Sequence, residues 1–389
     1  MISIGIAGKP NCGKSTFFKS STMANVEIAD YPFTTIDANH GVAYVRTICP
    51  CRSLGLKCEQ CYDGVRFVPV GMIDVAGLVP DAHKGRGLGN QFLDHLREAD
   101  AIIHIVDSSG GTDSEGNLVP IGSHNPEEDI QFLYKEMTMW FHGILEKHWP
   151  KLQRQAQSGG FSIGQAIAEV LAGFAVSIDN VHKAEQELGL NLGRATPSDL
   201  ILFCDRLLRM SKPILIVANK IDQAPPDLVK KMSLYNAIFT SAAAELALRN
   251  AAAAHLVKYQ PGDLNFTIIN PDAMSSAQKA GLGKIVTVMK LYGGTGVQQA
   301  INKLIFEVLN MIIVYPVEDE HKFCDRKGRI LPDAFIMKRG STPHDLAYKV
   351  HTDIGKGFLY AIDARTRMRI KESYNLKNGD IIKIVSTAK

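Results

Sequence analysis

The chain has 389 residues, with 43 Lys+Arg against 40 Asp+Glu for a formal net charge of +3, 46% hydrophobic residues and 21% charged ones. This length predicts two or three domains, each with its own core, and the composition excludes a disordered or collagen-like chain. No stretch reaches the ~18 uninterrupted apolar residues of a membrane helix, and seven cysteines over so long a chain argue against a secreted disulfide framework. The opening residues lack the basic stretch and cleavage site of a signal peptide, so the expectation is a cytoplasmic monomer with no membrane partner.

Residues 2–7 form the first short apolar run, and runs at 67–74, 101–107 and 214–219 repeat its character. Helix-period segments alternate with them, the pattern of an α/β fold with buried parallel strands. The first run leads into Gly8-Lys9-Pro10-Asn11-Cys12-Gly13-Lys14-Ser15, a G-x-x-x-x-G-K-[ST] loop before a helix-compatible segment. Gly8 and Gly13 let successive backbone N–H groups turn inward around phosphate oxygens. Lys14 brings positive charge to the β- and γ-phosphates, Ser15 can ligate Mg²⁺, and the helix N-terminus favours the anion. The expected phosphate-binding set is Gly8, Lys9, Pro10, Asn11, Cys12, Gly13, Lys14, Ser15 and Thr16.

Next come Cys49-Pro50-Cys51 and Cys58-Glu59-Gln60-Cys61, four thiols within residues 49–61. Two close pairs joined by a short loop suit a tetrahedral Zn²⁺ site; local disulfides or free thiols are the alternatives. The run 67–74 ends in Asp74-Val75-Ala76-Gly77, where Asp74 can reach Mg²⁺ through a water and the Gly77 N–H can meet the γ-phosphate. Residues 120–210 read as a helical insertion. In it Ile130, Leu133, Met137, Trp140, Ile144 and Leu145 share one face, as do Ile163, Ile167, Val170, Leu171 and Phe174. Thr196-Pro197-Ser198-Asp199 has the makings of a helix start, and Trp140, Phe141 and Trp149 are expected in the core.

Asn219-Lys220-Ile221-Asp222 closes the run 214–219. The Asp222 carboxylate suits guanine N1–H and N2–H₂, a pair that adenine does not present. Asn219 can tie the base to the phosphate loop, and the Lys220 stem can cover the base. In Thr240-Ser241-Ala242 a backbone N–H, at Ser241 or Ala242, can meet guanine O6. All these segments sit at strand ends, where open α/β sheets bind ligands.

After Tyr315-Pro316, short runs at 334–337, 358–362 and 381–385 alternate with turns such as Asn378-Gly379-Asp380, the pattern of a small α+β module. The expected division is a nucleotide-binding domain over 1–314 and a separate module over 315–389. Residues 321–389 hold 15 Lys+Arg against 7 Asp+Glu, a local balance of +8, whereas the first 320 hold 28 and 33, a balance of −5. Arg365, Arg367 and Arg369 are expected to alternate along one strand and point to one face. With Lys338, Arg339, Lys349 and Lys356 they would form a phosphate-binding patch; a solvated basic edge is the alternative.

In its phosphate loop, in Tyr31-Pro32-Phe33-Thr34-Thr35 and in the segment from Ala82-His83-Lys84-Gly85 to Gln91-Phe92-Leu93, the chain resembles the Obg/YchF branch of the P-loop GTPases, in its archaeal YchF-like form. Lys338-Arg339-Gly340-Ser341-Thr342-Pro343, with Gly355-Lys356-Gly357-Phe358, resembles the TGS module that ends such proteins. The resemblance covers nearly the whole chain. It implies a TRAFAC GTPase domain followed by a β-grasp, ubiquitin-like TGS domain, and slow Mg²⁺-dependent GTP hydrolysis in a molecular switch that contacts the ribosome or RNA.

The resemblance also places Thr35 on Mg²⁺ and the γ-phosphate, and K⁺ beside Asn11, where a cation can stand in for an arginine finger. Relatives with a degenerate N-x-x-E base motif prefer ATP; Asn219-Lys220-Ile221-Asp222 predicts GTP here. The Gln that orients the attacking water in many GTPases is replaced by Leu78, so His83 is the nearest candidate for that task, beside Lys14, Thr35 and Gly77. A stand-alone NTPase, ATP-using and without an RNA partner, is the alternative reading.

Overall fold

A computed structural model describes residues 1–22, 39–75, 95, 97–157 and 162–387. Thr35, Gly77, Leu78 and His83 lie outside the described residues, as do the segments 31–35 and 82–93. Among the described residues, those up to 42 and from 71 to 300 form one compact unit, and those from 43 to 70 and from 301 onward form another.

The chain enters the first unit through β1 (Ser3–Ala7), turns through the loop 8–13 into α1 (Lys14–Thr22), and later forms β2 (His40–Ile48), the one-turn α2 (Pro50–Ser53) and β3 (Val65–Asp74). β4 (Ala101–Asp107) leads to α3 (Pro126–Gln157), α4 (Ile163–Val170), α5 (Ile178–Leu188) and α6 (Pro197–Ser211). Then follow β5 (Ile214–Asn219), α7 (Pro226–Ser233), β6 (Ile238–Phe239) and α8 (Ala242–Ala253). A short ribbon of β7 (Val257–Lys258) and β8 (Thr267–Ile268), then α9 (Ser276–Tyr292) and α10 (Val297–Lys303), complete this part.

Six strands assemble in the order β2-β3-β1-β4-β5-β6. β1 runs parallel to β3 (Ile6 opposite Asp74) and to β4 (Ala7 opposite His104), and β4 runs parallel to β5 (Asp107 opposite Asn219). Parallel strands are covered on both faces, which explains the unbroken apolar runs: every residue of β4 is buried. The register has a functional consequence. It brings the ends of β1, β3, β4 and β5 together, so the phosphate loop, Asp74, Asp107 and Asn219 share one rim.

The helices between β4 and β5 form their own core. Leu133, Met137, Phe141 and Leu145 of α3 are buried with Ile167, Val181, Phe203 and Leu207. Trp140 and Trp149 join that core as expected, and the Phe174 ring meets Trp140 edge-on at 4.7 Å. Thr196 accepts from the Asp199 N–H while Asp199 accepts from Thr196, with Pro197 in the first turn, so the sequence signal for this helix start is met. Exchanging such a cap for Ala costs about 1 kcal/mol.

The second unit contains β9 (Met311–Val317), β10 (Phe335–Lys338), α11 (Pro343–Val350), α12 (Thr352–Lys356), β11 (Phe358–Asp363), β12 (Met368–Ile370) and β13 (Ile381–Ser386). The order is β10-β9-β13-β11-β12, with β9 and β13 parallel at the centre. Leu346 of α11 packs on Ile312, Val314, Ala361 and Ile382, the layout of a β-grasp fold. The boundary expected between 314 and 315 falls inside β9.

One expectation is overturned here. Arg365, Arg367 and Arg369 do not alternate along a strand. β11 ends at Asp363 and β12 begins at Met368, so Arg365 and Arg367 occupy the hairpin turn, where Arg367 has φ +59°. The Asp363 carboxylate accepts from the N–H of Arg365 at 2.9 Å and from the Thr366 hydroxyl at 3.1 Å. An acid that caps the chain two and three residues on makes a turn, and that local bonding overrides the alternation of side chains.

Candidate nucleotide-binding site

The phosphate loop has the backbone its glycines predict. Gly8 has φ +155° and Gly13 φ +100°, and Asn11 adds φ +58°. A Cβ on Gly8 would sit 2.5 Å from the Ile105 carbonyl oxygen, and one on Gly13 would strike the Asn219 amide. Both positions therefore need glycine for space as well as for dihedral angle. Lys14 and Ser15 open α1, with Ser15 exposed and Cys12 fully buried behind the loop. Burial pushes the Cys12 thiol up to about 11, so it packs as a small apolar group.

Asn219 is buried and joins three segments. Its Nδ2 donates to the Cys12 carbonyl at 3.1 Å, and its Oδ1 accepts from the Ala242 N–H at 3.1 Å and the Thr240 hydroxyl at 3.2 Å. Phosphate loop and base loops are thus locked through one amide. Asp222, three residues on, is exposed. Ser241 caps α8 by accepting from the Ala244 N–H, and its own N–H donates to the Thr295 carbonyl. A cleft of about 800 Å³ opens beside Asp222 and Ser241 and is bounded by Lys284, Val288 and Tyr292 of α9.

Asp74 fits the task of holding Mg²⁺. Among the described residues its Oδ1 is buried without a hydrogen-bond partner, an acceptor suited to a cation or a metal-bound water. Burial pushes its carboxyl above the usual range, against the downward pull of Lys14 and His95. Ser15, exposed at the start of α1, is the second ligand candidate on the described side of the site.

Family descriptions match the chain in three places: a 50S ribosome-binding GTPase over residues 3–136, an Obg-like GTPase G4 motif-containing domain of YGR210-like type over 217–319, and a TGS domain over 327–386. A GTP-binding protein of Methanocaldococcus jannaschii is 48% identical over 398 aligned positions, with both chains covered in full. The chain belongs to the YchF/Obg-like GTPase family. The crystal structure of a GTP-binding protein from Pyrococcus horikoshii OT3 superposes with a TM-score of 0.78 at 40% identity, covering 99% of this chain and 100% of that one. The ribosome-binding ATPase YchF of Mycoplasma pneumoniae is 34% identical over 225 positions, 56% of this chain and 57% of that protein.

In this YchF/Obg-like GTPase, side chains that sequence reasoning assigned to nucleotide, or passed over, hold the rim together. Lys9 is buried and does not reach outward: Nζ donates to the Thr112 carbonyl at 2.8 Å and lies 2.7 Å from Asp129 Oδ2, in the first turn of α3. His124 Nε2 is 2.9 Å from the other Asp129 oxygen. Lys220 Nζ donates to Asp107 Oδ2 at 2.8 Å, so its stem lies across the rim while its charge is neutralised inside. Asp107 also accepts from Ser109 and Thr112 and is fully buried. An acid closing an apolar strand and followed by Ser-Ser-Gly-Gly-Thr was the available signal for it.

Asn11 donates to the Gly116 carbonyl at 2.9 Å, which uses the amide's donor half and leaves the carbonyl half, the half a K⁺ would take. Behind Ser241, Glu245 is fully buried and accepts from Arg249 Nε at 2.9 Å, from the Tyr259 hydroxyl at 2.6 Å and from the Thr295 hydroxyl. That network braces the base loop, and its members are too far apart in sequence to be recognised as a unit.

His104, at the centre of β4, is 2% exposed. Burial, then the charges of Lys9 and Lys14, push its imidazole down to about 3 from 6.5. Between those two values the unfolded chain takes up a proton that the folded chain refuses. Stability is therefore complete above pH 6.5 and falls as pH falls toward 3. The loss approaches about 1.4 kcal/mol per pH unit within the window. Urea unfolding at pH 7 and pH 5.5, repeated on His104→Leu, should show a smaller pH effect in the variant; equal pH effects would refute this assignment.

In the second unit Lys338, Arg339, Lys349, Lys356, Arg365, Arg367 and Arg369 are all exposed. Several are engaged locally. Arg339 donates to Asn310 Oδ1 at 2.7 Å, Arg365 to the Ser53 hydroxyl at 3.2 Å, and the Arg369 guanidinium lies 4.2 Å from the Tyr360 ring centroid. Among the described residues no helix is long and apolar enough to cross a membrane.

Proposed function

We propose that this protein is a Mg²⁺-dependent GTP-binding switch with slow intrinsic hydrolysis, stimulated by a ribosomal or other RNA–protein partner that its TGS domain engages. The observation carrying the nucleotide reading is the Asn219 brace, which ties Cys12 to Ala242, with Asp222 exposed three residues on. An exposed carboxylate at that point accepts two donors from guanine and would face only repulsion or water with adenine. GTP is accordingly the preferred nucleotide, and equal affinities for ATP and GTP would overturn that preference.

Within the site, Lys14 places its charge on the β- and γ-phosphates, while Ser15, Thr35 and Asp74 would hold Mg²⁺. The bound ion neutralises charge that develops on the phosphate oxygens. Gly77 would supply an N–H to the γ-phosphate, His83 would orient the attacking water, and the Asn11 carbonyl would help hold K⁺, which adds positive charge at the phosphates. Single-turnover hydrolysis should slow in His83→Ala at unchanged GTP affinity, and should run faster in K⁺ than in Na⁺. Unchanged turnover in the variant removes His83 from the reaction, and identical rates in the two salts remove the K⁺ site.

The partner reading rests on the matched descriptions, which name 50S and ribosome binding, and on the exposed cations of the basic terminal unit. Cosedimentation of the full chain with ribosomes should be stronger with a non-hydrolysable GTP analogue than with GDP, and should weaken steeply with salt. Pelleting in neither state would favour a stand-alone NTPase.

A further inference from the structure

Cys49, Cys51, Cys58 and Cys61 belong to the second unit and play no part in the nucleotide site. Their four sulfurs all lie within 4.8 Å of one another, with Cys49–Cys58 at 3.6 Å and Cys51–Cys61 at 3.5 Å. Four thiolates around one Zn²⁺ at about 2.3 Å would stand about 3.8 Å apart along each edge of the tetrahedron. All four cysteines are free, and three are buried. Two local disulfides would draw each bonded pair to about 2 Å and separate the pairs; a single compact cluster with every pair close is the arrangement of a shared centre.

The surrounding backbone closes tightly around the cluster. Asp63 at φ +49° and Gly64 at φ +79° turn the chain tightly after the second pair, and the Cys49 N–H bonds to the Gly64 carbonyl at 2.9 Å, which closes the loop on itself. Tyr62 and Val65 exchange two backbone hydrogen bonds beyond it.

Tyr315 of β9 is buried within the same unit. The Tyr315 ring also carries the Arg66 guanidinium at 5.9 Å from its centroid, and Arg66 donates to the Leu331 and Pro332 carbonyls at 2.9 and 3.0 Å. Arg365, in the turn between β11 and β12, donates to the Ser53 hydroxyl at 3.2 Å, which joins the loop between β2 and β3 to the β-grasp unit.

We propose that Cys49, Cys51, Cys58 and Cys61 bind one structural Zn²⁺ that closes the β2–β3 loop and fastens it to the C-terminal β-grasp sheet. Four thiols give up their protons to solvent and four Zn–S bonds form, leaving a centre of net charge −2 with no open position, which suits structure and not catalysis. The assignment is independent of which nucleotide the first unit binds.

The test begins with the full chain, purified without chelator. Elemental analysis should find about one Zn²⁺ per chain, released into a zinc-sensitive dye when a mercurial titrates the thiols. Replacement by Co²⁺ should produce the sulfur-to-cobalt charge-transfer absorption of a tetrathiolate site. Cys58→Ser/Cys61→Ser should lose the metal and unfold at lower temperature while GTP binding persists. Metal-free protein whose thiols all react freely, disulfides found by mass spectrometry, or iron in place of zinc would each overturn the proposal. The wild-type metal content decides the matter even if the variant fails to fold.

Discussion

Replacing Asp222 with Asn should lower GTP affinity by about 100-fold, measured by titration calorimetry in Mg²⁺. The substitution keeps the shape and removes the charge, so two charge-assisted acceptor bonds to guanine become one neutral bond and one donor–donor clash. Charge-assisted hydrogen bonds contribute about 1.5–3 kcal/mol each, and about 1.4 kcal/mol is a factor of ten. Xanthine presents a carbonyl where guanine has its amino group, and the new amide N–H can donate to it. The variant should therefore bind xanthosine triphosphate better than the wild type does. Because Asp222 is exposed and accepts a hydrogen bond from Gln223 at 3.4 Å, with both residues on the surface, the fold should not suffer. Equal GTP affinity in variant and wild type would show that the carboxylate does not read the base.

Asp129→Ala should cost about 3–5 kcal/mol, the penalty for stranding one member of a buried ion pair. Lys9 and Asp129 side chains are 4% and 9% exposed, and Lys9 is part of the phosphate loop. Without Asp129, the Lys9 ammonium keeps only the Thr112 carbonyl and His124 loses its partner. The change should lower the midpoint of the thermal transition that GTP·Mg²⁺ shifts. Lys9→Met/Asp129→Leu provides the control: with both charges replaced by apolar groups of similar size, most of the loss should return. A double variant as unstable as Asp129→Ala would show that the pair's charge is not the cause.

The phosphate loop, the end of β3 at Asp74, the Asn219–Asp222 turn and the start of α6 were all legible in the sequence. Each is a local object: glycines that permit positive φ, an acid at the end of an apolar run, a Thr-Pro-Ser-Asp start whose bonds span three residues. Parallel strands were legible for the related reason that two-sided burial demands unbroken apolar runs. The arginines at 365–369 were misread because period-2 alternation is also what a tight hairpin can carry; the deciding feature is the Asp363 cap, and it outweighs a three-residue pattern.

The chemistry available at each strand end, and the family to which the chain belongs, can thus be read from local residue patterns. The partners of the buried charges depend on the packing of the folded chain. Lys9 lies in the phosphate loop and its ammonium pairs with Asp129, 120 residues away; the Lys220 ammonium ends on Asp107, 113 residues upstream. Sequence spacing carries no record of such pairs. A charge withdrawn from water must find an opposite charge or a carbonyl in its immediate surroundings, and which one it finds depends on the packing of strands and helices from distant parts of the chain. The four cysteines follow the same logic from the other direction. Their spacing announced a cluster, but only the fold placed all four sulfurs within 4.8 Å of one another.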